Sequence, residues 1–481
     1  MRLAEKRWNE FHRARLARYG RSSVALRLIP PGTRRFSLAK ALIGPLTPSP
    51  VRTTAPTACI PVAITAAWTE QVLVVTLSDS PSSDELVAAS TAIATASQEW
   101  VIFVDSSDEY EDIGRAVSHL LPLAATDPAG VHFCGDRDNP HKIARISRVA
   151  LESFPFQGRA TLYPRGSIAS LSAHPWRHPE HQLALDLLGA GRSFHRHPGW
   201  ANVCSLPTPH DHWTPDATRP SVDIVIPTRD RVDLLAACIE SIERVTTHPY
   251  RIIIVDNDSA DPETIAYFSA TPHLVAHYPG PFNYSAIVNH GARQGSGEVI
   301  VTLNNDTLVH GANWLSRLAH WAIQPDVGVV GARLEGVDGV LQHDGMAIIP
   351  YPVELNDGEP ISDIPRGVLS EGARRSVRSV GAVTGAVSAI ERSKWELVGG
   401  LDESLRVIGN DVDLCLRLAE RGYDSVIDPH VTLTHVGKAS RRGNDGDGDN
   451  FRMIARWNML GPDGLIDPFY PDMALPLGDA R

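Results

Sequence analysis

Glu298-Val-Ile-Val-Thr-Leu-Asn-Asn-Asp-Thr307 decides the fold. Its first six residues are nearly all apolar, as a strand of a parallel sheet covered on both faces reads. The run then turns polar at Asn304, Asn305, Asp306 and Thr307. Ligands of such sheets sit beyond the carboxyl ends of the strands, so this is where a cation and a diphosphate could be held. Asp306 offers the hard oxygen that Mg2+ or Mn2+ takes beside substrate phosphates. Taken alone, the cluster also fits a plain turn, which Asn and Asp favour for local reasons.

The residues on either side select the first reading. Val222-Asp-Ile-Val-Ile-Pro227 reads as a strand stopped by Pro227, and Tyr250-Arg-Ile-Ile-Ile-Val-Asp256 as the next strand. Between them, Val232–Arg244 has helical spacing at Leu235, Cys238, Ile239 and Ile242. Pro262–Ser269 and Tyr284–Gln294 are two further helices before the strand at 298–303. Such alternation predicts a mostly parallel sheet with right-handed crossovers. Its strand ends then bring three polar groups to one edge: Thr228-Arg229-Asp230, Asp256-Asn257-Asp258 and Asn304-Asn305-Asp306. The chain has neither a P-loop nor a Gly-x-Gly-x-x-Gly turn, so side chains and a metal must hold any nucleotide.

A second segment carries candidate chemistry. In Asn410-Asp-Val-Asp-Leu-Cys-Leu-Arg-Leu-Ala-Glu-Arg-Gly422 the apolar face is Val412, Cys415, Leu416 and Ala419. Asn410 reads as the N-cap and Gly422 as the stop beyond the last turn. Asp411 and Asp413 fall in the first turn, where the helix dipole alone favours acidic residues. The functional alternative is that Asp411 faces the cleft as a general base on a rigid stem. Asp428-Pro-His-Val-Thr-Leu-Thr-His435 reads as a strand whose last residue, His435, is either structural or a metal ligand. Gly443-Asn-Asp-Gly-Asp-Gly-Asp-Asn450 lacks calcium-loop spacing and a closing Glu, and reads as a loop.

Bulk properties bound the rest. A length of 481 residues implies two domains or more. A formal charge of −11 argues against a nucleic-acid partner. No apolar run is long enough for a membrane span, and the first residues have no signal-peptide core. The five cysteines, Cys59, Cys134, Cys204, Cys238 and Cys415, form no zinc spacing and no disulfide framework, which fits a reducing cytoplasm. Residues 1–24 are basic and helix-compatible, with Trp8 and Phe11 on one face. They read either as a solvated helix docked on the protein or as a peripheral contact with the inner face of the plasma membrane. With the linker to residue 65 they make the first segment. Residues 66–215 hold a weaker α/β pattern: strands at Gln71–Leu77, Trp100–Asp105 and Gly130–Cys134, and a helix at Ser83–Ser97. The Pro-rich passage Ser205–Pro215 ends that domain. Residues 216–445 form the second domain and 446–481 a C-terminal extension.

Residues 221–442 resemble the glycosyltransferase family 2 enzymes, closest to bacterial enzymes of O-antigen and other cell-surface polysaccharide synthesis. The runs that carry the resemblance are Val222–Arg231, Ile252–Asp261, Gly280–Asn289, Leu303–Thr307, Leu341–Gly345, Val383–Ala386, Asn410–Arg417 and His435. The resemblance implies an α/β GT-A fold: a Rossmann-like, mostly parallel sheet with helices on both faces, preceded by a smaller degenerate α/β domain. It implies a nucleoside diphosphate sugar donor, a saccharide or lipid-linked glycan acceptor, and Mn2+ or Mg2+. Thr228, Asp230, Asp256 and Asn257 would line the donor pocket. Asn304-Asn305-Asp306 stands where the family has Asp-x-Asp, so Asp306 carries most of the metal binding, with His435 completing it. Asp411 matches the acidic pair that supplies the base; its first member is Asn410 here. Arg441, with Ser440, would touch the diphosphate.

The resemblance further implies that the N-terminal half is an eroded copy. In that register Trp100–Asp108 matches Val299–Thr307, with Ser107 in place of Asp306. Pro179–Gly191 matches Asn410–Gly422, with His181 in place of Asp411. This copy is expected to do no chemistry. Two rival readings are a sugar nucleotidyltransferase and a non-catalytic carbohydrate-binding or scaffolding protein on a transferase fold. Residues 346–380 are expected to form an acceptor-side loop.

Overall fold

Four parallel strands form the block on which the second half of the chain is built. The computed structural model describes residues 70–78, 80–135, 147–153, 158–173, 177–200, 213, 219–348, 361–363, 374–437, 449, 452–453, 456–457, 467 and 469. The basic segment 1–24, its linker and Arg441 lie outside the described residues.

The first unit runs β1 (Val72–Thr76), α1 (Ser83–Thr95), β2 (Trp100–Val104), α2 (Tyr110–Ala124), β3 (Val131–Gly135), α3 (Arg148–Ser153), β4 (Thr161–Pro164), α4 (Pro179–Gly189) and β5 (Phe194–Trp200). The second begins with β6 (Val222–Thr228), α5 (Val232–Val245), β7 (Tyr250–Asp256), α6 (Pro262–Ala270), β8 (Leu274–His277), α7 (Tyr284–Gln294), β9 (Val299–Leu303) and β10 (Thr307–Val309). It continues with α8 (Trp314–Ala322), β11 (Val327–Glu335), β12 (Leu341–His343), β13 (Met346–Ile348), β14 (Ile361–Asp363), β15 (Arg378–Val380), β16 (Val387–Glu391), α9 (Arg392–Val398), α10 (Asn410–Ala419) and β17 (Asp424–His435).

In the large sheet the order is β10-β17-β11-β16-β9-β6-β7-β8, with β12 on β11 and β15 on β17. The strands β9, β6, β7 and β8 are parallel to one another. Beyond them the sheet is mixed, because β16 returns antiparallel between β9 and β11. The parallel block is the part legible as continuous apolar runs: Ile252 to Val255 and Val299 to Val301 are at most 1% exposed. Leu235, Cys238, Ile239 and Ile242 of α5 pack inward. Asn283 caps α7 by accepting from the Ala286 amide. Gly291 lets α7 lie close on the sheet, since a Cβ there would stand 2.5 Å from both Val225 and Val255.

Two expectations need correction. Pro227 does not end β6, which runs on to Thr228. Pairing with β9 stops at Val225, so the missing N–H of Pro227 leaves no ladder bond unmade on that side. The stretch 346–380 is not all loop: β13 and β14 pair as a hairpin, and β15 joins β17. Arg378 anchors it, fully buried and 2.8 Å from Asp344 Oδ1.

The small sheet has the order β1-β2-β4-β3-β5. Its pairings run parallel, antiparallel, antiparallel, parallel. The strands β6-β9-β16-β11-β17 repeat that series pair by pair. In this alignment β2 stands where β9 stands, and α4 precedes β5 as α10 precedes β17. The second unit adds β7 and β8 beyond β6; among the described residues the first adds nothing beyond β1. The units touch through α3: Ser147 Oγ lies 2.5 Å from Ser379 Oγ, and Val149 joins a core that includes Val377 and Val426. The C-terminal extension also packs back, with Asp467 Oδ2 accepting from the Ile348 amide at 2.8 Å and Trp457 Nε1 donating to Asp413 at 3.0 Å. Among the described residues no helix is long and apolar enough to cross a membrane.

Asp223 ties the parallel block together. It is 1% exposed and accepts from Arg251 of β7, Arg392 of α9 and the Gly297 amide before β9. Breaking a buried ion pair from one side leaves the other charge uncompensated, at about 3–5 kcal/mol. Asp223→Ala should therefore lower unfolding free energy by roughly that amount in a urea titration, while Asp233→Ala, at an exposed pair, should change it by less than about 1 kcal/mol.

Candidate functional site

The carboxyl ends of β6, β7 and β9 meet in one cleft. Asp256 ends β7 and is 8% exposed. Its Oδ1 accepts from the Ser259 amide at 2.9 Å, and its Oδ2 lies 3.2 Å from Nδ1 of His277 at the end of β8. The other ring nitrogen of His277 is 3.3 Å from Asp258. Asn257 is buried and spends its amide on the carbonyls of Tyr278 and Gly280. Asp230 has a left-handed φ of 52° and accepts from the amides of Ala260 and Asp261. It thereby fastens the loop after β6 to the loop after β7. Asn305 donates to Thr228 Oγ1 at 3.0 Å, which joins the ends of β9 and β6.

Asp306 is 5% exposed, and its carboxylate faces His435 Nε2 at 3.3 Å. Backbone pairing sets this approach: Thr307 and His435 are partners of the β10–β17 ladder, and the Val436 amide donates to the Asp306 carbonyl. The opposite side of the imidazole meets Gln342, whose Oε1 is 2.9 Å from Nδ1. An adjacent carboxylate and imidazole suit a borderline divalent ion such as Mn2+, which takes both ligand types. Among the described residues no third His, Cys, Asp or Glu completes a cage. Phosphate oxygens and water normally fill the remaining positions of such sites.

Asp411 opens α10. The helix is capped by Gly409, with φ 75°, rather than by Asn410. Asn410 is buried and its Oδ1 accepts from the Asp411 amide. A glycine in the left-handed region brings the chain into the helix one residue earlier than an Asn cap does. The carboxylate of Asp411 is held at both oxygens, by the Val412 amide at 2.9 Å and the Gly385 amide at 2.9 Å. Gly385 links it to the carboxyl end of β9. Its carbonyl takes the Tyr284 hydroxyl at 2.8 Å, and that hydroxyl is 3.3 Å from Asn304 Oδ1. Tyr284, Gly385, Asn410 and Asp411 line one cavity. Asp413 is turned away from it: fully buried, it pairs with Arg417 at 2.7 Å, and Arg417 holds the carbonyls of Val398 and Gly400.

The structure thus gathers Thr228, Asp230, Asp256, Asn257, Asn304, Asn305, Asp306, Asp411 and His435 around one sheet edge. Tyr284, His277, Gln342 and Gly385 escaped the reading of the sequence. Three of them lie in quoted runs, Gly280–Asn289, Leu341–Gly345 and Val383–Ala386, but nothing local marks their partners. In the first unit, Ser107 is exposed and its amide donates to Asp105 Oδ1. His181 is 1% exposed and its Nε2 is bonded to the Leu151 carbonyl of α3. Counted from Pro179 and Asn410, however, the residue in step with Asp411 is Glu180, which is fully buried with Oε1 3.4 Å from the Tyr163 hydroxyl.

Residues 223–366 match the family profile described as Glycosyl transferase family 2. The O-antigen biosynthesis protein RfbC of Myxococcus xanthus is 36% identical over 269 residues, covering 54% of this chain and 21% of that protein. Uncharacterized protein y4gI of Sinorhizobium fredii is 33% identical over 369 residues, covering 72% of this chain and 38% of that protein. The chain therefore spans well under half the length of either relative. A mannosyltransferase, PcManGT from Pyrobaculum calidifontis, solved with GDP-Man and Mn2+, is a loose structural likeness: TM-score 0.39, 19% identity, 55% of this chain and 70% of that one.

Neither thiol near the cleft is a nucleophile. Burial pushes Cys238 and Cys415 up to about 12, so both stay protonated at neutral pH. Peptide mapping after treatment of the native protein with a maleimide at pH 8 should find both unmodified, and both labelled in denaturant. Labelling of either in the native state would contradict the burial described here.

Proposed function

We propose, from a chain whose residues 223–366 form a glycosyltransferase family 2 domain within a GT-A α/β fold, an inverting, cation-dependent transfer of a sugar from a nucleoside diphosphate to a hydroxyl of a saccharide or lipid-linked glycan. The observation that supports this best is the short link from Asp411 through Gly385 and Tyr284 to Asn304. It sets a carboxylate base beside the strand end that carries Asp306.

Each part of the cleft has a role in this reading. The Asp256 carboxylate takes an N–H of the donor's base or a ribose hydroxyl, with Thr228 alongside. Asp230 and Asn257 shape the pocket by fastening its loops. Asp306 and His435 would hold the cation, Mn2+ or Mg2+, with phosphate oxygens and water at its other positions. When bound, that ion offsets the charge that grows on the departing diphosphate. Asp411 accepts the proton of the acceptor hydroxyl as its oxygen attacks the anomeric carbon from the face opposite the diphosphate. The new C–O bond forms as the bond to the diphosphate breaks, so a single displacement inverts the centre without a covalent intermediate. The two amides on Asp411 fix its direction, as proton transfer at a set distance requires.

The first unit supports no such chemistry in this reading. Counted from the first residue of each helix, the residue in step with Asp411 is Glu180, which is fully buried and takes the Tyr163 hydroxyl. Among the described residues the first unit has no strand beyond β1, and so no counterpart there of the Asp256 pocket. Its role is then to bind acceptor, polymer or a partner. Cell-surface polysaccharide synthesis is the setting we infer, supported by the name of the Myxococcus relative. Buried thiols at Cys238 and Cys415 favour a reducing cytoplasm.

A thermal-shift screen of UDP, GDP, dTDP and CDP with Mn2+ identifies the base, since a bound ligand raises native stability. With that nucleotide's sugars, Asp411→Asn should cut transfer by about 10²–10⁴-fold while leaving the nucleotide-induced shift intact. Transfer at the wild-type rate in that variant would remove Asp411 from the mechanism.

A further inference from the structure

Gln342 touches His435 twice. Its Nε2 is 3.0 Å from the His435 carbonyl oxygen, and its Oε1 is 2.9 Å from His435 Nδ1. The first contact fixes which way the amide faces, because a carbonyl oxygen can only accept and must meet the –NH2 group. The second contact then presents an oxygen, which has no proton to give, to Nδ1. That nitrogen must carry the hydrogen and donate it. In a neutral imidazole the lone pair is thereby left on Nε2, the nitrogen that faces Asp306 at 3.3 Å.

The sheet explains why this contact exists. Glu335 of β11 pairs with Leu341 of β12 on one side and with Thr434 of β17 on the other. Gln342 is therefore carried over the end of β17, where His435 is the last residue. Gly437 follows with φ 59°, and a Cβ there would lie 3.6 Å from His435 Nδ1 and 3.7 Å from the Gln342 amide. Backbone pairing already sets the positions of Asp306 and His435. What it leaves open is the ring's orientation and tautomer.

We propose that Gln342 is a positioning residue of the cation site: it holds His435 as the Nδ1–H tautomer, with the Nε2 lone pair directed at the ion that Asp306 shares. This rests on the cation reading above. Second partners of metal-binding histidines act in this way, and losing one typically costs about 10–100-fold in metal affinity. Gln342 is exposed, so its replacement leaves the core intact.

Two measurements test it apart from turnover. The first is the 15N spectrum, which reports the tautomer of His435, of imidazole-labelled protein in excess Mg2+, a diamagnetic ion that relieves Nε2 of facing a bare carboxylate. The second is Mn2+ binding followed by electron paramagnetic resonance for wild type, Gln342→Leu and Gln342→Glu. The wild type should show Nδ1–H. Gln342→Leu should lose that preference and bind Mn2+ about 10–100-fold more weakly. Gln342→Glu, which still offers an oxygen to Nδ1, should bind at least as well as the wild type. An Nε2–H tautomer in the wild type, or equal affinity in the Leu variant, overturns the role of Gln342 while the cation site stands. A wild type with the Nδ1–H tautomer and no Mn2+ affinity overturns the cation site and the role of Gln342 with it.

Discussion

A single backbone amide, that of Gly385, holds the cleft to its shape. It donates to Asp411 at 2.9 Å, while the carbonyl of the same residue takes the Tyr284 hydroxyl at 2.8 Å. One residue therefore joins the start of α10, the start of α7 and the strand end at Asn304. That residue is placed in turn by β16, which begins at Val387 and pairs antiparallel with β9. The Asn304 amide donates to the Ala386 carbonyl and closes the junction. A carboxylate more than a hundred residues away in sequence is brought to the polar end of β9 by this return strand.

The parallel block was legible because its chemistry is local. A buried strand flanked by helices is apolar along its length, and the runs at Val222, Tyr250 and Val299 announce themselves. The first turn of α10 was legible for the same reason, although its cap was not. Gly409 replaces Asn410 there through a left-handed φ that side-chain preferences do not reveal. Of the mixed half of the large sheet only the end of β17 was legible, at Asp428–His435. β11 contains Gly328 and Gly331, and the side chains of Leu418 and Val383 crowd the places their Cβ atoms would take. Only tertiary pairing tells such a strand from a loop. Tyr284, His277 and Gln342 were hidden because each acts on a partner far along the chain. The quoted runs around two of them pointed to the neighbourhood without giving the contact.

The two sheets explain each other. Strands β1-β2-β4-β3-β5 and β6-β9-β16-β11-β17 pair in the same series of directions. Among the described residues, what separates them is the addition of β7 and β8, which carry Asp256 and His277 at their ends. In the proposed function the donor's base is held at these added strands and the cation at the shared ones, at a position where the first unit has Ser107. A repeated scaffold with chemistry in one copy is consistent with how function is grafted onto folds site by site.

The central claim is that one cleft holds both a nucleoside diphosphate and a divalent ion. Anomalous diffraction from crystals grown with Mn2+ and the nucleotide chosen by thermal shift tests it most directly. The account predicts one strong manganese peak in direct contact with Asp306 and His435, bridged to the diphosphate, with the base against Asp256. Manganese and nucleotide bound elsewhere, or a diphosphate out of reach of Asp306, would contradict it.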